Sequence, residues 1–373
     1  MSCQSALAVD LGNLTFFGQI GVSEPISDSI VIQQDELPTA AFDALYTYDS
    51  PYIKVLAEGY VDEHNSTLER FTLGLKYSSN GTIWLGKFHN PIEYWLDEYH
   101  QGAYAQTSLT NPFESLDGTE GGITTRNVSG FKLSHLFEIG EQSINLDVGQ
   151  FSAPRLTASV PSVDVSDFID NRHEDNKAPF FRLRYSPIPM NDSEFGVAYV
   201  EGTLAAPDPA ELDKLLGPFL GPTLIGVKTD QRAASAFANI EAGNWKVLLS
   251  YINSWVDIEL GNSIAGQILG EDADSSFAVD LVYLHTEYAM GDELMVFGRY
   301  EKAKDTIDTP EGRLLIDALD FDSKYEKALV GLRWDLSRRH ALTVQYTDHS
   351  GIGQRQDMIH VAWTFAYDLG LKF

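Results

Sequence analysis

The sequence has 373 residues, and its 54 acidic and 26 basic side chains give a formal net charge of -28 at pH 7. This balance argues against a nucleic-acid partner, because such a partner requires a basic stripe. The only cysteine, Cys3, excludes a disulfide framework and a zinc site built on cysteines. Aromatic residues and glycines are plentiful, which favours short strands joined by tight turns over a disordered acidic chain.

No segment is apolar over the roughly 18 consecutive residues that a membrane-spanning helix needs. The most apolar candidate, Leu215 to Val227, is interrupted by Gly217, Pro218, Gly221 and Pro222. Low hydropathy does not argue against a membrane barrel, because its strands bury only alternate residues in lipid.

The N-terminus contains Ala6-Leu7-Ala8, which has the small-x-small form of a signal-peptidase site. The basic and apolar regions that precede such a site do not occur here. We interpret residues 1–8 as the remnant of a secretory signal and residues 9–373 as a single domain. An ordinary polar tail and a lipoprotein cleavage site at Ser2-Cys3 are the alternatives.

The C-terminal segment alternates between apolar and small or polar residues over about fifteen positions, longer than the roughly 5–6 residues of an ordinary globular strand. This pattern favours a strand that separates lipid from an aqueous lumen, although a soluble edge strand can alternate by chance. The apolar positions are Ile359, Val361, Trp363, Phe365, Tyr367, Leu369, Leu371 and Phe373.

The terminal Phe373 follows apolar residues at every second position, namely Leu371, Leu369, Tyr367 and Phe365. This arrangement resembles the C-terminal signal of Gram-negative outer-membrane β-barrels. In that family the barrel-insertion machinery reads the signal. The resemblance therefore implies a membrane-assembly role for these five residues, and an outer-membrane location in contact with lipid and lipopolysaccharide.

Shorter alternating segments recur along the chain, and we expect their apolar faces to meet lipid. Charged residues such as Arg182, Arg184 and Arg333 lie on the opposite faces, which we expect to meet the lumen. The apolar faces are Phe71, Leu73, Leu75 and Tyr77; Ile144, Leu146 and Val148; Phe181, Leu183 and Tyr185; Phe195, Val197 and Tyr199; Trp245, Val247, Leu249 and Tyr251; Phe277, Val279, Leu281 and Tyr283; Ala328, Val330, Leu332, Trp334 and Leu336; and Leu342, Val344 and Tyr346.

Short turns alternate with much longer connections. Asn80-Gly81, for example, is a strong hairpin signal, whereas the connections Gly202 to Gln231 and Asp305 to Lys324 are long. This rhythm predicts an all-β, antiparallel up-and-down transmembrane barrel of about 16 strands (roughly 14–18), with short periplasmic turns and long extracellular loops. A barrel of this size encloses an aqueous channel unless something fills it.

The segment from His89 to Gly102 is rich in aromatic and acidic residues. Its place after an early strand resembles the constriction loop of porins, which folds into the lumen and opposes acidic loop residues to basic wall residues. The alternative is a surface loop whose aromatic residues lie at the membrane interface. The porin resemblance implies that the acidic residues of the constriction loop are Glu93, Asp97 and Glu98. It implies that the basic residues of the wall are Lys76, Lys87, Lys132, Arg182 and Arg184.

No catalytic site is predicted. The chain has no Gly-x-Ser-x-Gly elbow, its histidines are scattered, and the run from Tyr99 to Gly102 lacks the His-x-Ser-Asn-Gly form of barrel phospholipases. The spacing of His89, Glu93, Asp97 and His100 matches no metal-ligand motif. We therefore predict neither an enzyme nor a metal or other cofactor.

The porin resemblance implies passive diffusion of small hydrophilic solutes or ions, and a homotrimer. The acidic balance favours cations, provided that the acids lie near the pore. The alternative is a non-conducting barrel that acts as a sheath, scaffold or ligand-binding protein for a partner. A loop that narrows the lumen favours the channel, and an open lumen lined by apolar patches favours the sheath.

Overall fold

The computed structural model describes residues 10–26, 38–63, 66–99, 104, 106–112, 127–152, 155–157, 162–164, 177–187, 193–204, 228–259, 275–307, 325–351 and 354–372. The elements are β1 (Asp10–Pro25), β2 (Ala40–Asp49), β3 (Ile53–Asp62), β4 (Ser66–Ser78), β5 (Gly81–His89), α1 (Tyr94–Tyr99), β6 (Asn127–Ile139), β7 (Gln142–Ser152), β8 (Arg155–Thr157), β9 (Ser162–Asp164), β10 (Lys177–Ser186), β11 (Glu194–Leu204), β12 (Lys228–Ala242), β13 (Trp245–Glu259), β14 (Ser275–Ala289), β15 (Leu294–Ile307), β16 (Tyr325–Ser337), β17 (His340–Gly351) and β18 (Gln354–Lys372). Within these ranges no helix is long and apolar enough to cross a membrane.

Sixteen of these strands close into one antiparallel barrel, in which β18 pairs with β1. Closure places Trp363 opposite Ile20 and Tyr367 opposite Phe16. The strands β8 and β9 form a separate hairpin, so β7 pairs with β10. Each other barrel strand pairs with its neighbours in sequence. The predicted up-and-down barrel of about 16 strands is therefore confirmed.

The outer face of the barrel is apolar. Leu73, Leu249 and Trp363 are 38%, 46% and 38% exposed, and large apolar side chains from other barrel strands accompany them. Near the turn into β17, the ring of His340 stacks on Trp363 at 5.4 Å and its Nε2 lies 3.1 Å from the Tyr367 hydroxyl. An apolar band bordered by amphipathic rings is the surface that a membrane barrel presents to lipid and to the lipid–water interface.

The prediction of which residues face lipid is wrong for one strand. On β14, Val279, Leu281 and Tyr283 are only 0–2% exposed and point into the barrel. There the ring of Tyr283 contacts the ring of Trp95, which lies in the lumen. Leu284, on the outer face of the same strand, is 42% exposed. Because β14 is apolar on both faces, its alternation does not reveal which face meets lipid.

The buried core lies inside the barrel, between the wall and the segment that follows β5. Alternate inner residues of the wall and the apolar side of that segment together form a single cluster. Its members include Phe88, Ile92, Tyr94, Trp95, Phe151, Phe180, Phe237, Leu248, Ile252, Val279, Leu281 and Tyr283. The lumen of this barrel therefore contains a packed loop, which brings side chains of the loop against the wall.

Candidate pore-lining site

The chain turns into the barrel directly after β5. The Oδ1 atom of Asn90 accepts a hydrogen bond from the backbone N–H of Ile92 at 3.2 Å, and the Asn90 carbonyl accepts one from Glu93 at 3.2 Å. Asparagine favours such turns because its short side chain can satisfy nearby backbone donors. The turn leads into α1, which buries Trp95 and Leu96 to 3% and 2% exposure.

One side of α1 is held against the wall by aromatic contacts. The ring of Tyr94 stacks on Phe237 with the centroids 3.9 Å apart, and Asn239 Nδ2 donates to the Tyr94 hydroxyl at 3.3 Å. Trp95 meets the edge of His285 at a centroid distance of 5.0 Å. Stacked and edge-on aromatic pairs add specific geometry to the area that they bury. These contacts fix α1 on the inner faces of β12 and β14.

The other side of α1 carries two carboxylates that meet basic residues of β10. Asp97 Oδ2 lies 2.7 Å from Arg182 Nη1, and Glu98 Oε1 lies 3.1 Å from Arg184 Nη1. Arg182 also donates to Asp147 Oδ2 on β7 at 2.8 Å. The structure thus brings together four of the residues that the sequence pattern proposed for the site, as two ion pairs between loop and wall.

The two carboxylates of α1 have opposite electrostatic environments. Burial alone would raise the pKa of Asp97, but Arg182 and then Lys132 hold it below its usual range. Burial, followed by the negative charge of Asp97, raises the pKa of Glu98, although Arg184 partly offsets this effect. As the pH falls, Glu98 therefore binds a proton before Asp97 does.

The other residues proposed for the wall lie in different places. Lys132 points inward, with its Nζ 5.4 Å from the centroid of the Phe88 ring. Lys76 lies near the β4–β5 turn and forms an ion pair with Asp49. On the loop, Glu93 lines a small cavity between α1 and the wall.

Lys87 does not line the lumen. It pairs with Phe71, and both residues lie on the outer face of the barrel, where Leu85 is 47% exposed. Its Nζ donates to the carbonyl of Leu68 at 2.7 Å. The aliphatic stem of a lysine at this position can follow the apolar surface while its ammonium reaches a polar group. Lys87 therefore does not belong to the candidate pore-lining site.

A second stretch of the loop, residues 106–110, was not recognised from the sequence. Thr107 Oγ1 donates to Glu287 at 2.6 Å, and the N–H of Leu109 donates to Gln345 Oε1 at 2.9 Å. Arg299 Nη1 donates to the Ser108 hydroxyl at 2.9 Å. The run of small hydroxyl residues in Thr107-Ser108-Leu109-Thr110 is the only signal in the sequence, and such runs are also common in surface loops.

Three of the histidines in the described part of the chain, His285, His340 and His360, lie in different parts of the barrel wall. His285 is a wall residue whose Nε2 lies 3.0 Å from Glu287 Oε1. His360 Nδ1 lies 2.8 Å from the Ser23 hydroxyl on the neighbouring strand. His340 belongs to the outer aromatic cluster. His100 lies outside the described residues.

Four residues of the proposed membrane-assembly signal, Phe365, Tyr367, Leu369 and Leu371, lie in β18. Tyr367 and Leu369 are on the outer face, 38% and 50% exposed, and Phe365 packs against Trp363. The side chain of Leu371 and the whole of Phe373 lie outside the described residues, as do residues 1–8, the proposed signal remnant.

The sequence matches no family model and no curated protein. The fold, in contrast, matches solved structures over nearly its whole length. An anion-selective porin from Comamonas acidovorans has a TM-score of 0.59 at 13% identity, with 97% of this chain and 100% of that chain covered. The chain has the fold of an outer-membrane porin.

Two further structures support this assignment of the fold. OmpT, an outer membrane protein of Vibrio cholerae, has a TM-score of 0.55 at 10% identity, with 96% of this chain and 98% of that chain covered. The outer membrane channel DcaP of Acinetobacter baumannii has a TM-score of 0.53 at 9% identity, with 96% and 97% covered. Such identities establish the fold alone, and a fold by itself does not determine which solutes a barrel admits.

Proposed function

We propose that this porin-like barrel is a passive, non-enzymatic diffusion channel of the outer membrane for small hydrophilic solutes or ions. The observation that carries the proposal is the position of α1, which lies inside the barrel with Asp97 and Glu98 directed at Arg182 and Arg184. A loop folded into the lumen narrows the path that a solute can take. It also favours a channel over a sheath, because a sheath needs an unobstructed interior.

Charges of opposite sign meet at this narrow level, at N···O distances of 2.7 Å and 3.1 Å, and create a local field. The acids of α1 lie on one side, and Arg182, Arg184 and Lys132 lie on β10 and β6. The low dielectric of the surrounding barrel and loop strengthens such a field relative to bulk water. Water and polar solutes would be ordered as they pass, whereas an apolar solute would have to displace the ordered water and would offer the charged groups no hydrogen bonds in return.

We further propose that the channel favours cations. Asp147 and Glu194 add negative charge beside the two arginines. A second inward-facing group on β2–β4 combines two carboxylates, Glu58 and Glu69, with the single guanidinium of Arg70. A porin of similar fold is described as anion-selective, so the fold does not decide the sign of the preference. The excess of inward-facing acids is the argument for cations.

The experiment that tests this function is single-channel recording in a planar bilayer under a salt gradient. Stable open steps with a cation-favouring reversal potential are the expected result. Conductance with an anion-favouring reversal potential would refute the cation preference but retain the channel. A correctly folded barrel that never conducts would refute the channel. A non-conducting barrel that acts as a sheath or scaffold for a partner protein would then be the favoured function.

We propose that the barrel-insertion machinery recognises the segment that ends in Phe373, that residues 1–8 are a signal remnant, and that the barrel assembles as a homotrimer. The apolar outer face supports contact with lipid and lipopolysaccharide. We expect chemical cross-linking of the protein in outer-membrane vesicles to give a trimeric band. A gel that shows a monomeric band alone would refute the trimer.

A further inference from the structure

Arg299 on β15 is a buried cation in contact with two separate stretches of the lumenal loop. Its Nη1 donates to the hydroxyl of Ser108 at 2.9 Å and its Nη2 to that of Thr110 at 3.1 Å. Its guanidinium also lies against the ring of Trp95 in α1, 5.1 Å from the ring centroid. One planar group therefore joins residues 108–110 to α1, and both to the wall.

The charge of Arg299 is already balanced within the wall. Its Nε donates to Glu301 Oε1 at 2.6 Å, and both side chains are 0% exposed. The partners that the loop supplies, two hydroxyls and an indole ring, are all neutral. Arg299 thus contributes little net charge to the lumen, and its effect on the loop is geometric.

Neighbouring contacts extend the same attachment. Gln345 Nε2 donates to Thr110 Oγ1 at 3.2 Å, and Leu109 packs with Ala362 of β18. Trp95 Nε1 donates to Gln106 Oε1 at 3.0 Å, which links α1 to the start of the anchored stretch. The stretch that Arg299 holds therefore connects α1 to the β14–β15 wall, in addition to the direct contacts of Trp95 with Tyr283 and His285.

We propose that Arg299 is a positioning residue of the channel, which sets the place of Asp97 and Glu98 in the lumen by holding Trp95 and residues 108–110 to the wall. The inference rests on the proposed function and deepens it. The carboxylates of α1 are held from one side by Arg182 and Arg184. On the other side, α1 is held through Trp95. Weakening the contacts of Arg299 would therefore move the carboxylates of Asp97 and Glu98 without changing any charge in the pore.

The test compares Arg299→Lys with Arg232→Lys in the full-length barrel. Lysine keeps the charge and can still pair with Glu301, but it lacks the planar fork and the stacking face. Arg232 pairs with Asp257 on the outer face, 46% exposed, and touches none of the loop contacts described here. For R299K we expect greater open-channel current noise and a cation-to-anion permeability ratio lowered by about twofold. R232K should match the unmodified protein.

A rescue and a second readout separate positioning from damage to the fold. In a protein with Cys3 replaced by Ser, a disulfide between Leu109→Cys and Ala362→Cys should restore low noise to R299K. Mobility of a spin label at Glu98→Cys should rise in R299K, whether or not the barrel conducts. Unchanged mobility and unchanged noise in R299K would overturn the positioning role and leave the channel intact. A barrel that never conducts would instead refute the proposed function, and label mobility would still decide the role of Arg299.

Discussion

Asp97 of α1 and Asp147 of β7 share one guanidinium, since Arg182 Nη1 lies 2.7 Å from Asp97 and its Nη2 lies 2.8 Å from Asp147. The arginine side chain is 4% exposed and that of Asp147 is 2% exposed. Arg182 alone does not balance the two carboxylates, and Lys132 supplies a second positive charge close to Asp97. The loop carboxylate, Asp97, can be neutralised while the wall pair stays in place.

Asp97→Asn should weaken the cation preference. Arg182 keeps Asp147, so the site loses one negative charge and retains its buried pair. Two unit charges about 4 Å apart interact by about 1 kcal/mol in water, so we expect the cation-to-anion permeability ratio to fall by up to about fivefold. The measurement is the reversal potential under a salt gradient. Asp280→Asn is the matched control, because Asp280 accepts from Asn253 on the outer face at 2.5 Å. An unaltered ratio in D97N would show that this carboxylate does not contribute to selectivity.

The selectivity should also depend on pH through Glu98. Burial and the neighbouring Asp97 raise its pKa above the ordinary value of 4.5. The negative charge of Glu98 is therefore present at neutral pH and lost as the pH falls through that raised pKa. The cation preference should fall in the same range, which lies above the range for an ordinary glutamate. Reversal potentials measured from neutral to mildly acidic pH test this, and Glu98→Gln should remove the step. A step that persists in E98Q would assign the titration to another group.

The sequence predicted most of the fold because lipid imposes a simple rule on each strand. Phe181 and Leu183 point outward at 43% and 38% exposure, and Arg182 between them points inward at 3%. The rule fails where the lumen is also apolar. Val279 faces inward, in the same buried cluster as residues of the loop, and Leu284 faces outward. Only the folded loop distinguishes the two faces of that strand.

Only those residues of the candidate pore-lining site that have a local sequence signal could be proposed from the sequence. Asp97, Glu98, Arg182 and Arg184 could be proposed because acids in an early loop and bases in the middle of a strand are visible in the sequence. The partnership of Ser108 with Arg299 spans 191 positions, and no local pattern encodes it. Register irregularity is equally invisible: the pairing of β3 with β4 shifts at Glu58 and Gly59, and Glu69 and Arg70 are consecutive buried residues.

Lys132 and Lys87 should respond differently to the same substitution. Lys132 faces the lumen and is close enough to Asp97 to lower the pKa of that carboxyl, so Lys132→Gln should strengthen the cation preference by up to about fivefold. Lys87 lies on the outer face and donates to the Leu68 carbonyl, so Lys87→Gln should leave conductance and reversal potential unchanged. Paired single-channel recordings decide the matter. A selectivity change in K87Q would contradict the face that we assign to Lys87.

Phe373→Asp should block membrane assembly. The strand that leads to Phe373 closes the barrel, because Trp363 of β18 lies opposite Ile20 of β1. The pattern of apolar residues that ends at Phe373 is the proposed signal for insertion, and a carboxylate at its end would disrupt it. We expect the variant to reach the periplasm and fail to accumulate in the outer membrane. The heat-modifiable folded band on gel electrophoresis should be lost with it.

Phe373→Trp is the control for that experiment, because it keeps an aromatic residue at the last position. Normal accumulation of F373D would show that insertion does not depend on this residue. Failure of both variants would indicate that the site requires phenylalanine itself. Refolding purified F373D into lipid vesicles separates recognition from stability. A variant that folds there with the same urea midpoint as the unmodified protein has lost recognition alone, whereas a lowered midpoint would mean that Phe373 also stabilises the closed barrel.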